Sequence, residues 1–119
     1  MNEGSFLYHY RAHITSVYDG DTCTATIDLG FNLKQGKIKL RLHGIDAPEI
    51  RGETKEKGRE SRDYLRKLVL DKPVEIQTFK DKKGKYGRYI AQIWIELDGS
   101  KQCVNDLLVI NGYAEQRQY

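Results

Sequence analysis

The chain has 119 residues, enough for one domain with a modest core, and its 39% hydrophobic and 31% charged residues are the balance of an ordinary globular protein. A formal charge of +3, from 20 basic and 17 acidic side chains, permits a polyanionic partner without demanding one. Two cysteines exclude a disulfide framework, no apolar run approaches a membrane span, and Met1 to His13 lacks the basic-then-apolar layout of a secretory signal.

Tyr8, Tyr10, Ala12 and Ile14 alternate with polar residues, the period of a half-buried strand that ends at the turn dipeptide Asp19-Gly20. Thr22 to Asp28 follows, with Cys23, Ala25 and Ile27 on one face, which predicts a buried free thiol at Cys23. Gly30 to Gly36 reads as a connecting turn, and Lys37 to Leu42 as a third strand with Ile38, Leu40 and Leu42 inward and Lys37, Lys39 and Arg41 outward. A loop from Gly44 to Glu53, stiffened by Pro48, leads to a helix over Thr54 to Leu70 with Ser61, Tyr64, Leu65, Leu68 and Val69 as its stripe. Val74 to Phe79 and Arg88 to Leu97 read as strands, and Cys103 to Ile110 as a short helix closed by Asn111-Gly112. This order predicts an α+β, mainly β, fold. It is a five-stranded OB-type barrel with a helix between strands 3 and 4 and a short C-terminal helix, in one domain over residues 1–119.

Three short stretches put charge in loops or at strand ends: Asp19-Gly20-Asp21-Thr22, Arg41 through Glu49, and Lys85-Tyr86-Gly87-Arg88. Asp21 and Asp46 offer the hard oxygen donors that Ca²⁺ or Mg²⁺ prefers, and the Ala47 carbonyl is a candidate third donor. Glu49, three residues past Asp46 and steered by Pro48, suits the activation or orientation of a water. Arg41 and Arg88 offer paired donors matched to two phosphate oxygens, which a lysine cannot reproduce. Singly, each of these has a plainer reading: a hairpin turn, a loop carboxylate, an exposed strand-end arginine. Asp19 itself reads as a turn residue accepting from local N–H groups. In one small domain the combination points to metal-assisted phosphodiester cleavage. The lysines at 80, 82, 83 and 85 are a solvated loop or a phosphate track, and the three histidines show no metal-ligand spacing.

At these stretches the chain resembles the staphylococcal (micrococcal) nuclease family, from Tyr8 to about Ala114, with Val104-Asn105 opening the second helix as in relatives. The resemblance implies Ca²⁺-dependent hydrolysis of DNA and RNA, single-stranded or unwound by preference, by a monomer without a membrane partner. It implies Asp21, Asp46 and the Ala47 carbonyl on calcium, and Arg41, Glu49 and Arg88 as catalytic residues. Lys85 and Tyr86 would contact a terminal phosphate, and in-line attack of water would leave 3′-phosphate ends. The family's base-stacking tyrosine falls at Gln118 by spacing, or at Tyr119 after a slip of one. The competing class is a noncatalytic OB-type nucleic-acid-binding module, which typically lacks some of these carboxylates or arginines. A small-nucleotide phosphoesterase would need a closed pocket, for which the chain offers no lid.

Overall fold

Side-chain alternation in the first two strands decides what fills the interior. The computed structural model describes residues 8–83 and 87–117. In it β1 (His9–Asp19) turns its Ala12 and Ile14 inward, while β2 (Thr22–Gly30) contributes Cys23, Ala25 and Ile27, all buried. β3 (Leu33–Leu42) adds Leu40 and Leu42. These three strands form an antiparallel meander. β5 (Pro73–Lys83) pairs with β1, β6 (Tyr89–Leu97) pairs with β5, and a parallel stretch from Leu40 to Leu42 joins β3 to β6 and closes a five-stranded barrel. The expected OB-type architecture is the one observed.

α1 (Lys55–Val69) follows a single 3-10 turn at Gly52–Thr54 and precedes β5, as expected. Its buried face is Gly58, Ser61, Leu65, Leu68 and Val69, with Tyr64 half-buried beside them. α2 (Val104–Ile110) ends as Asn111-Gly112 predicts: Gly112 takes φ +81°, Gly112 N donates to Val109 O at 3.1 Å and Tyr113 N to Leu108 O at 2.8 Å, the two bonds of a Schellman cap. Buried Asn105 accepts from Ile93 N at 3.1 Å and donates to His43 O at 2.9 Å and Ala91 O at 3.2 Å, tying α2 to β6 and to the loop after β3. Among the described residues no helix is long and apolar enough to cross a membrane.

Three expectations need correction. Gly30 to Gly36 is not a connecting turn: β2 and β3 run on to a two-residue hairpin in which Phe31 and Asn32 both take positive φ. Alternation hid this because β3 carries a bulge. Ala25 pairs with Ile38 but Ile27 with Gln35, and Lys37 at φ +57° absorbs the extra residue. Two short strands, β7 (Ser100–Cys103) beside β6 and β8 (Glu115–Gln116), were not anticipated. β8 pairs with a two-residue β4 (Ile45–Asp46) inside the expected loop. Finally, Arg41 points away from the barrel interior but is not solvent-exposed, being only 8% accessible.

Candidate active site

The β1–β2 turn, the end of β3 and the loop after β4 meet at one place. Asp19 Oδ1 accepts from Asp21 N at 3.1 Å, the local capping its sequence suggests. Gly20 is dictated by space: a Cβ there would lie 2.7 Å from the Cβ atoms of both Ala47 and Ser61. That clearance lets the turn sit against α1 and the Ala47 loop. Asp21, now buried, accepts from Thr22 Oγ1 at 3.1 Å through one carboxylate oxygen and from Ala47 N at 2.8 Å through the other. So the first charged stretch pins the second by a direct bond.

Arg41 lies between them. Its Nη1 donates to the carbonyls of Leu42 at 2.8 Å and Ile45 at 2.9 Å; its Nη2 donates to Asp46 Oδ1 at 2.6 Å and sits 3.5 Å from Asp21 Oδ2. One guanidinium thereby draws both candidate metal carboxylates to the same nitrogen. Asp46 is about half exposed, and its Oδ1 also accepts from Arg117 Nη1 at 3.2 Å. Arg117 arrives through β8, and its own N–H donates to Gly44 O at 2.8 Å. The sequence carries no signal for this arginine, because a two-residue strand has no alternation to read.

Glu49 is exposed, but its backbone is held. Its carbonyl accepts from Thr54 Oγ1 at 2.8 Å, and Gly58 of α1 packs so closely that a Cβ would collide with the Glu49 carbonyl oxygen and lie 2.8 Å from Ile50 N. Arg88 is half-buried just before β6, after Gly87 at φ +73°, and two residues before Ile90, which is Arg41's partner across the barrel seam. The parallel β3–β6 pairing therefore brings the two arginine-bearing segments side by side. Lys85 and Tyr86, like Gln118 and Tyr119, lie outside the described residues.

Burial first, and then the adjoining Asp21 carboxylate, raise the Asp19 pKa to about 6. Asp21 and the half-exposed Asp46 are the two carboxylates drawn together at Arg41. The donors are hard oxygens without imidazole or thiol, the set that fits Ca²⁺ or Mg²⁺. Among the described residues no three His, Cys, Asp or Glu side chains form a ready-made metal cage. A cation held here would need backbone oxygen, water or substrate beside these two carboxylates.

A family model described as staphylococcal nuclease homologue matches residues 39–119, a span holding Arg41, Asp46, Glu49 and Arg88. The chain belongs to the staphylococcal nuclease family. It is 29% identical over 110 residues to a thermonuclease of Staphylococcus hyicus, covering 89% of this chain and 59% of that protein. It is 30% identical over 128 residues to an uncharacterized protein of Methanocaldococcus jannaschii, covering 89% of this chain and 58% of that protein. A probable staphylococcal-like nuclease of Oryza sativa is 33% identical over 78 residues, 66% of this chain and 18% of that protein. The chain therefore spans less than two thirds of the length of each of these relatives.

Proposed function

We propose that this protein is a Ca²⁺-dependent, sugar-nonspecific nuclease that hydrolyses phosphodiester bonds of DNA and RNA to leave 3′-phosphate ends, acting as a monomer on single-stranded or unwound substrate. The observation that carries the reading is the convergence of Asp21 and Asp46 on the buried Arg41 guanidinium, in a chain of the staphylococcal nuclease family.

Asp21, Asp46 and the Ala47 carbonyl would hold Ca²⁺, which when bound supplies a positive charge that polarises the phosphate and acidifies water. Glu49 acts on the attacking water, as its general base or as the acceptor that orients it. The water oxygen forms the new bond to phosphorus, the bond to the 5′ oxygen breaks, and the leaving oxygen gains a proton. Arg41 and Arg88 face the negative charge spread over the equatorial oxygens. Lys85 and Tyr86 contact a terminal phosphate.

A specific observation favours the rival, a noncatalytic nucleic-acid-binding module: both Nη nitrogens of Arg41 are already engaged by loop carbonyls and carboxylates, as in a purely structural arginine. The two readings separate on cleavage of labelled single-stranded DNA and RNA with Ca²⁺ or with chelator. Ca²⁺-dependent products ending in 3′-phosphate support the nuclease. Salt-sensitive binding without cleavage under any metal supports the module.

A further inference from the structure

From Asp28 to Lys37 every residue of the β2–β3 hairpin is exposed, although the strands stay paired through Asp28–Lys34 and Gly30–Leu33. Past Asp28, the last residue of β2 paired with β1, the two strands continue alone as a ribbon to the tip. Its tip is apolar: Phe31 is 96% accessible, flanked by exposed Leu29 and Leu33. Phe31 and Asn32 both hold positive φ to make the turn, a conformation that bulky residues avoid. Among the described residues no burial offsets that cost, so a second body is the natural home of this side chain.

The register says what that body is. Thr22, Thr24 and Asp28 pair with Arg41, Lys39 and Lys34, so exposed Lys34 and Lys39 follow one another along the side of β3 that ends, at the barrel seam, in buried Arg41. The acid among these partners, Asp28, already spends Oδ1 on Gly30 N at 2.8 Å. Lys34 and Lys39 make no ion pair among the described residues. A line of cations continuous with a phosphate-binding arginine matches a polyanionic strand, whereas a second copy docked about a two-fold axis would set like charges against each other.

We propose that the β2–β3 hairpin is a duplex-gripping arm, with Lys34 and Lys39 on phosphates in line with Arg41 and Phe31 wedged between base steps. DNA grooves admit a two-stranded ribbon, and apolar wedges partly unstack the steps they enter. This deepens the nuclease reading and rests on it, since unstacking delivers the unwound strand that the site takes. From Leu33 to Arg41 the strand covers roughly 27 Å at about 3.4 Å per residue, or about eight base pairs.

The test uses the full chain in chelator, so that binding is read apart from cleavage, with wild type, Phe31→Ala and the double variant Lys34→Gln/Lys39→Gln. Phe31→Ala weakens binding of a long duplex about fivefold or more, the low end of an aromatic–base contact. It leaves a duplex of about six base pairs, too short to reach the tip, unaffected. The lysine variant lowers the slope of log affinity against log salt by about 2, for two lost phosphate contacts. A 2-aminopurine about eight pairs from the bound phosphate brightens with wild type and not with Phe31→Ala. Unchanged duplex affinity and salt slope in these variants overturn the arm. So does a wild-type dimer split by Phe31→Ala with DNA affinity intact, which assigns the tip to a second copy. Loss of binding to anionic vesicles in Phe31→Ala with DNA affinity intact assigns it to a membrane surface and overturns the arm equally. Dinucleotide cleavage by the wild type reads the nuclease site alone, so failure there removes the parent reading while these binding results still judge the arm.

Discussion

Gly58, in the first turn of α1, lies directly under the Glu49 backbone, with no room for a methyl group between them. The helix is therefore the bed on which the candidate general base rests. In an ordinary helix interior, Gly→Ala gains about 0.5–1 kcal/mol. Here the new Cβ meets backbone, and overpacking of this kind costs about 1–3 kcal/mol. The collision wins. Gly58→Ala should lower Tm by several degrees and displace Glu49, cutting turnover as well. A raised Tm with full activity would mean that the loop has space to spare.

Glu49→Gln separates chemistry from fold. The side chain is exposed, so stability should stay within about 0.5 kcal/mol of wild type. Turnover should fall roughly a hundredfold or more, the ordinary worth of a positioned base. Unchanged turnover would remove Glu49 from the mechanism.

On the proposed reading Arg41 carries two jobs, one in the fold and one in the chemistry. Truncation to alanine strands the Ile45 and Leu42 carbonyls and leaves buried Asp21 with one cation fewer, and breaking a buried pair typically costs about 3–5 kcal/mol. Arg41→Ala should therefore lose stability along with activity, so its activity alone is a poor guide to mechanism. Arg41→Lys keeps the charge but not the fork. It should retain most of the stability while rate falls about a hundredfold. If Arg41→Lys stays folded and cleaves at the wild-type rate, the arginine is structural only.

Arg117 shares Asp46 Oδ1 at a half-exposed position, where an ion pair is worth about 0–1 kcal/mol. Arg117→Ala should leave Tm nearly unchanged. Removing a cation beside a proposed calcium ligand should raise Ca²⁺ affinity a few-fold, read by calorimetric titration. Weaker Ca²⁺ binding would instead make Arg117 the group that holds Asp46 in place.

Cys23, two residues past Asp21, gives a pH prediction that is read on stability and not on cleavage. Complete burial, and then the Asp19 charge, push its thiol from 9.0 to about 12. The unfolded chain releases this proton first, so the contribution is fully present below about pH 9 and is lost as pH rises toward 12. Denaturant unfolding at increasing pH should show a steeper alkaline loss in wild type than in Cys23→Ala. Parallel losses would show that the thiol is accessible in the native state.

Alternation was legible wherever one face of a strand or helix is buried. Ala12, Ile14, Cys23, Ala25, Leu40 and Leu42 all face the core that the sequence assigns them. It failed at the hairpin arm, where both faces are exposed and a bulge at Lys37 breaks the period. It failed too at β4 and β8, whose two-residue strands leave no pattern. At the candidate site the residue types were readable and their coupling was not. Nothing in Asp19-Gly20-Asp21 announces that Asp21 will hold the Ala47 N–H, or that Gly20 is required by Ser61 of a distant helix. Those are consequences of closure, which brings segments far apart in the chain onto one another.

The measurement that bears most directly on the central claim is cleavage of single-stranded and duplex DNA by the purified protein in Ca²⁺, Mg²⁺ or chelator, beside Glu49→Gln. The expected result is cleavage that requires Ca²⁺, leaves 3′-phosphate ends and collapses in Glu49→Gln. Cleavage supported by Mg²⁺ alone would contradict the metal assignment. Tight, salt-sensitive DNA binding with no cleavage under any metal would contradict the nuclease reading itself.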